Sequence, residues 1–162
     1  MRRLLSVILI CGLVSPLLAA DPPKAVKPAK PDQATLEQAF SEKLSGATLV
    51  GSFTTDGKEG NKPDRYRIVS AKKVKDNAWI FTATMKLQQN EIDIPIPIKV
   101  YWADDTPVMS LTDLTIPGMG TFTSRVMFYG DRYAGTWQHG DHGGTFCGVI
   151  EKAKPAAEKK PD

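Results

Sequence analysis

Cysteine and histidine are scarce in this chain. Its 162 residues include two of each: Cys11 and Cys147, His139 and His142. Cys11 falls in an N-terminal stretch that reads as a cleaved leader. One thiol then remains, no internal disulfide can form, and a hydrophobic core must hold the domain by itself. An unbroken apolar run of the roughly 20 residues that span a bilayer is also missing. The longest, Leu4 to Leu18, is interrupted by Ser6, Ser15 and Pro16. No nucleophile-elbow, metalloprotease or phosphate-loop pattern occurs. Gly118-x-Gly120 stands between two strand-like runs and lacks the helix that a phosphate cradle requires. These absences leave no reaction specified, and the reading leans away from an enzyme.

Net charge is low as well. Arg2 and Arg3, the apolar run and the small pair Ala19-Ala20 form a signal-peptide pattern over residues 1–20. Cleavage there predicts export to the periplasm or the outside of the cell, with no membrane anchor left. Cleavage removes two Arg and no acid, so the formal charge of +3 becomes +1. Three Lys against two Asp in 21–32, and four Lys against two acids in 152–162, leave −2 for residues 33–151. A nucleic-acid face needs a clustered basic patch, and this distribution has none. The Pro-, Lys- and Ala-rich ends, 21–33 and 152–162, read as disordered flanks around a domain at 34–151. No internal repeat is visible.

What is present is alternation. Residues 35–44 form the one helix candidate: Thr35 with Gln38 makes a capping-box pattern, Leu36, Phe40 and Leu44 share a face, and Gly46 follows. From residue 47 the period becomes two. Ile92, Ile94, Ile96, Ile98, Val100 and Trp102 give one apolar series; Trp79, Phe81, Ala83, Met85 and Leu87 a second; Phe122, Ser124, Val126 and Phe128 a third. Turn signals divide the run into eight strands near 47–54, 65–74, 78–87, 92–102, 107–116, 121–129, 132–138 and 145–151. Short connections imply an antiparallel meander. The fold class is therefore all-β: an eight-strand antiparallel meander barrel or barrel-like sandwich with one short N-terminal helix.

Turn lengths predict register. A two-residue turn at Gly130-Asp131 sets Phe128 opposite Tyr133 and Ser124 opposite Trp137. A six-residue turn at 139–144 sets Trp137 opposite Phe146 and Gly135 opposite Gly148. A four-residue turn after Leu87 sets Met85 opposite Ile94 and Phe81 opposite Ile98. All three tryptophans then point inward. Pro95 and Pro97 lack N–H groups aimed at the same neighbour, which predicts a gap or edge beside that strand.

The chain reaches its first strand through a short helix and Leu49-Val50-Gly51-Ser52-Phe53. It ends on Tyr133-x-Gly135-x-Trp137, a glycine-rich loop and Phe146-x-Gly148-x-Ile150. In outline, over residues 35–151, this resembles the calycin group of small meander barrels, the lipocalins and avidins. Their Gly-x-Trp signature corresponds to Gly51-x-Phe53. Phe replaces the Trp, the chain is compact for a lipocalin, and a lipocalin's disulfide and C-terminal helix are missing. The resemblance implies a barrel and names no ligand. The sequence is also similar to small secreted bacterial proteins with Lys/Pro/Ala-rich ends, a likeness that implies no activity.

The inward face is aromatic and aliphatic, and the same parity places polar Ser70, Lys72, Ser110, Thr112 and Ser124 on it. It reads either as a filled core or as a cavity for a small, partly apolar ligand touched by Tyr66, Trp79, Trp102, Ser110, Thr112, Ser124, Tyr133 and Trp137. The non-enzymatic binding module is the first expectation. His139, Asp141 and His142 gather metal-ligand types in four residues, so a divalent-metal site is the second, although the sequence requires no cofactor and the loop serves equally as a turn. A third reading is a protein-interaction module. Met109, Leu111, Met127, Ala134, Cys147 and Val149 form an outward apolar patch that the 35–44 helix or a partner would cover. Oligomeric state stays open.

Overall fold

The computed structural model describes residues 31–87 and 90–152, apart from the side chains of Lys86 and Leu87. The expected leader, most of the N-terminal flank and the 153–162 tail lie outside the described residues. One helix, α1 (Gln33–Leu44), precedes eight strands: β1 (Ala47–Phe53), β2 (Lys62–Lys75), β3 (Ala78–Leu87), β4 (Asn90–Ala103), β5 (Thr106–Ile116), β6 (Gly120–Tyr129), β7 (Arg132–His139) and β8 (His142–Lys152). They pair in chain order and antiparallel throughout, and β8 returns to β1, so the sheet is a closed barrel. Between barrel and sandwich, the structure chooses the barrel.

The helix starts one turn earlier than its sequence pattern predicts. Asp32, not Thr35, is the N-cap: Thr35 N–H donates to Asp32 Oδ1 at 2.7 Å. That bond holds the Asp32 carboxyl below its ordinary range. Phe40 and Leu44, one turn apart, are the two buried residues of the helix. Phe40 packs edge-on against Trp79, Trp102 and Phe128, with ring centroids 5.6, 5.8 and 5.3 Å away, and lies 6.1 Å from Phe81. All four partners come from strand ends near the 76–77, 104–105 and 130–131 turns. Consecutive antiparallel strands alternate ends, so these turns share one end of the barrel, and α1 plugs it. Polar contacts fix the plug. Ser41 Oγ donates to Ala71 O at 2.5 Å, Ala71 N–H donates to Ser45 Oγ at 3.0 Å, and Lys43 pairs with Asp131 at 3.0 Å. Lys152 Nζ donates to the Glu42 and Ser45 carbonyls at the helix C-terminus, where a cation is favoured.

This placement corrects one expectation. The helix does not lie across an outer patch on β5–β8; it enters the barrel end. The patch is also smaller than expected, because Met109 and Leu111 pack against the core, while Met127, Ala134, Cys147 and Val149 remain outside and exposed.

Register follows the expectation at one hairpin and slips by two residues at others. Across Gly130-Asp131, Phe128 faces Tyr133 and Ser124 faces Trp137, as the turn length predicts. After β3 the connection has two residues, so Met85 faces Ile92 and Phe81 faces Ile96. The last hairpin also turns on two residues, Gly140-Asp141. Trp137 consequently faces Gly144, Gly135 faces Phe146, and Tyr133 faces Gly148. A slip of two keeps every side chain on its predicted face. All three tryptophans accordingly belong to the interior.

Register shifts in β2 and β5 change parity within the strand. In β2 the register shifts between Ile68 and Ser70, so Ile68 and Ala71 are both buried. Lys72 therefore points outward, against expectation, and half-buried Ser70 donates its hydroxyl to Thr82 Oγ1 at 3.3 Å. In β5 the shift lies between Leu111 and Leu114. Asp113 sits there at φ 49°, and Thr123 Oγ1 accepts its N–H while donating to its Oδ1, each at 2.9 Å. Arg125 completes the bulge, donating to Leu111 O and to Thr112 Oγ1.

Pro95 and Pro97 also find their place. The β3–β4 ladder runs unbroken through both, whereas the β4–β5 ladder extends only from Lys99–Ser110 to Ala103–Thr106. The ring closes despite the prolines, and their missing donors face the side where pairing has already ended. Replacing Phe40 with Ala is expected to destabilise the barrel by about 3–5 kcal/mol, the range for deleting a buried aromatic ring. Urea unfolding followed by circular dichroism checks it.

Candidate functional site

The plug at one end leaves a hollow behind it. A cavity of about 380 Å³ extends from Leu44 and Phe128 toward the far end, where Ile116, Phe122 and His139 form its rim. Its wall is mainly apolar: Ile96 and Ile98 of β4, Met109, Leu111 and Leu114 of β5, and Phe53, Phe81, Trp137 and Phe146 around them. Polar groups are few, with Tyr66, Thr123, Ser124, Gln138 and His139 on the lining. A mainly apolar cavity with a handful of polar groups can bind a small molecule by burial and orient it by hydrogen bonds.

The expected contact residues divide into four groups. Tyr66, Ser124 and Trp137 reach the cavity wall. Ser124 Oγ donates to Thr136 O at 3.0 Å, and Trp137 Nε1–H donates to Thr54 O at 3.1 Å, so both orientations are fixed by backbone. Trp79 and Trp102 belong to the plugged end against Phe40, and neither buried indole N–H has an acceptor. Tyr133, 2% exposed, lies under Gly148 with its ring 5.9 Å from Phe146. Ser110 and Thr112 lie off the inner face, which corrects their predicted orientation. Met109 faces Val100 and Val126, both buried, so Ser110 points out, and Thr112 meets Arg125 on the exterior.

That error and the one at Lys72 share a cause. Extending the parity of Leu114 and Ile116 backward through the β5 bulge puts 110 and 112 inside. Extending that of Tyr66 and Ile68 forward through the β2 bulge does the same to 72. Sequence reasoning consequently missed Met109 and Leu111 as cavity residues. It also passed over Asp64, which shares the inward parity of Tyr66 and Ile68; an acid on an apolar face was the available signal.

At the rim, His139 faces His142 across the Gly140-Asp141 turn. The His139 ring stacks on Phe122 with centroids 4.3 Å apart and planes at 11°, and it covers Gly120, where a Cβ would stand 2.5 Å from Nε2. Among the described residues, no three His, Cys, Asp or Glu side chains come together to hold a metal ion, and His139, Asp141 and His142 do not form such a set.

Burial pushes the Tyr133 phenol up to about 12, and the nearby Asp64 carboxylate adds to the effect. Tyr66 is raised further by burial and by the same carboxylate. Comparison with models of known protein families, with curated proteins and with solved structures finds no match.

Both phenols bind their protons more tightly folded than unfolded. Their stabilising contribution is therefore complete below pH 10, the ordinary phenol value, and lost as pH rises toward 12. The urea midpoint is expected to fall over that window, and to fall less steeply in Tyr133→Phe.

Proposed function

We propose that the chain is an exported, non-enzymatic binding module that holds one small, partly apolar molecule inside the barrel. The observation that carries this reading is the cavity of about 380 Å³ behind the Phe40 plug. Its size lies at the small-molecule end of ligand pockets, and its lining has the usual mixture of apolar wall and sparse polar groups. An eight-strand barrel has just enough interior for either a filled core or one small ligand. Here the helix supplies the filling at one end only.

The outline shared with lipocalins and avidins supports the same reading, since a closed eight-strand antiparallel meander barrel is common to both. The leader-like residues 1–20 support a periplasmic or extracellular location. Among the described residues no helix is long and apolar enough to cross a membrane. The interior offers hydrophobic burial and orientation and needs no cofactor for either. Of the two other readings, neither the histidine turn nor the exposed outer residues gains a supporting observation from the structure.

Natively purified protein, denatured and examined by mass spectrometry, is expected to release a small apolar molecule. Ala83, on the cavity wall and 8% exposed, provides the control. Ala83→Phe is expected to fill the space at a stability change within about 1.5 kcal/mol, since added volume enters an existing void. Ligand should disappear from the same preparation. A folded Ala83→Phe protein that keeps its ligand would refute the proposal.

A further inference from the structure

One side of the cavity wall is not sealed by backbone. β4 and β5 pair only from Ala103–Thr106 to Lys99–Ser110, at the plugged end. Beyond that, residues 90–98 of β4 and 111–116 of β5 run with no ladder between them, while β3–β4 and β5–β6 pairing continues behind each. Burial falls where the ladder stops. Along the inner face of β4, Val100 is 1% exposed and Ile98 6%, Ile96 and Ile94 are half-buried, and Ile92 is 37% exposed. Across from them Leu111, Leu114 and Ile116 of β5 are half-buried. Ile96, Ile98, Leu111, Leu114 and Ile116 all belong to the cavity lining, so slot and cavity are continuous.

Both lips are held from behind. Val100 N–H donates to Asn77 O at 2.9 Å, on the β3 side. Backbone groups alternate sides along an unbroken strand, so Pro95 and Pro97 turn toward the slot, where each offers a carbonyl and no N–H. On the other lip the register shift of β5 brings Leu111 and Leu114, three positions apart, onto the cavity. Its supports come from β6: Thr123 grips Asp113, and Arg125 donates to Leu111 O and Thr112 Oγ1. Neither lip depends on the other to stay in place. Around β1, β6 and β7 the same end is closed instead by fixed aromatics. Phe53 stands edge-on to Trp137 at 5.8 Å, Trp137 donates to Thr54 O, and His139 stacks on Phe122.

The chemistry of the lips selects the occupant. A peptide adding itself as a strand would meet an edge with two donors missing at alternate positions and the acids Glu91 and Asp93 beside them, a combination that turns strands away. An aliphatic chain needs no backbone partner. It gains by covering isoleucine and leucine side chains that water now reaches. The strands are paired at one end of the slot and part from there, which makes a wedge elongated along the strands. A thin, flexible chain matches that shape better than a rigid cage. We propose that the unpaired stretch of the β4–β5 seam is a side entrance to the cavity, and that the ligand carries a flexible aliphatic chain that enters between Ile96 and Leu114.

A side entrance presupposes that the cavity is a binding site, and the two fail differently in one experiment. Full-chain protein is mixed in stopped flow with decanol, or with adamantanol, a rigid cage of the same carbon number. Binding is followed through the fluorescence of Trp137 on the cavity wall. Decanol is expected to associate about tenfold faster than adamantanol. Phenylalanine on both lips, Ile96→Phe with Leu114→Phe, should slow decanol association and release alike by about tenfold, because a narrowed entrance raises one barrier for both directions. Leu114→Ala should speed both, and it carries the test if the double variant does not fold. Decanol association that neither variant changes, or adamantanol entering as fast as decanol, overturns the side entrance and leaves the cavity reading standing. Binding of neither alcohol to the unaltered protein overturns both.

Discussion

Phe40 places its ring among Trp79, Phe81, Trp102 and Phe128, and this cluster decides which part of the barrel is solid. An eight-strand ring encloses a space that its own side chains can just fill. Here a helix that contributes one aromatic and one leucine completes the packing at one end. Trp79 and Trp102 are used up in that contact. The remaining wall residues are held open by strands fixed elsewhere, and the cavity follows. Helix capping by Asp32 and the one lysine, Lys152, that reaches the helix carbonyls matter through this contact, because they set the direction from which Phe40 enters.

Closure imposes a second constraint. The β1–β8 seam runs without interruption from Ala47–Lys152 to Phe53–Phe146, and at its centre stand Gly51 and Gly148. Side chains there would collide with the opposite backbone: a Cβ on Gly51 would come within 2.0 Å of the Cys147 carbonyl oxygen. The same absence of side chains admits the Tyr133 ring. Seam closure and the seating of that ring therefore depend on the same two glycines. At β4–β5 the opposite solution appears. Pairing stops early, and prolines stand where no donor is needed.

Much of the fold was legible in the sequence for a physical reason. Alternation of apolar and polar residues is local, and so is the assignment of a face, which survives a register slip of two. The strands, their antiparallel order and the inward tryptophans could therefore be read directly. The site was less legible. Tyr66, Ser124 and Trp137 reach the cavity wall, but Ser110 and Thr112 point outward, because a bulge inserts a residue that alternation cannot announce. The β5 bulge depends on Thr123, a residue of the next strand, gripping Asp113 at both its N–H and its carboxylate.

The amino-acid sequence by itself determined the class of the fold, the number of strands, the single helix and which side of most strands is apolar. All of these depend on neighbours within a few positions along the chain. Tertiary structure decided that the sheet closes, that the helix plugs an end instead of covering a face, and that a cavity remains. It also decided that the Tyr133 ring lies against two glycines of the closing seam. Those outcomes depend on which distant strands meet and on how much volume their side chains leave unfilled, quantities that no local period encodes.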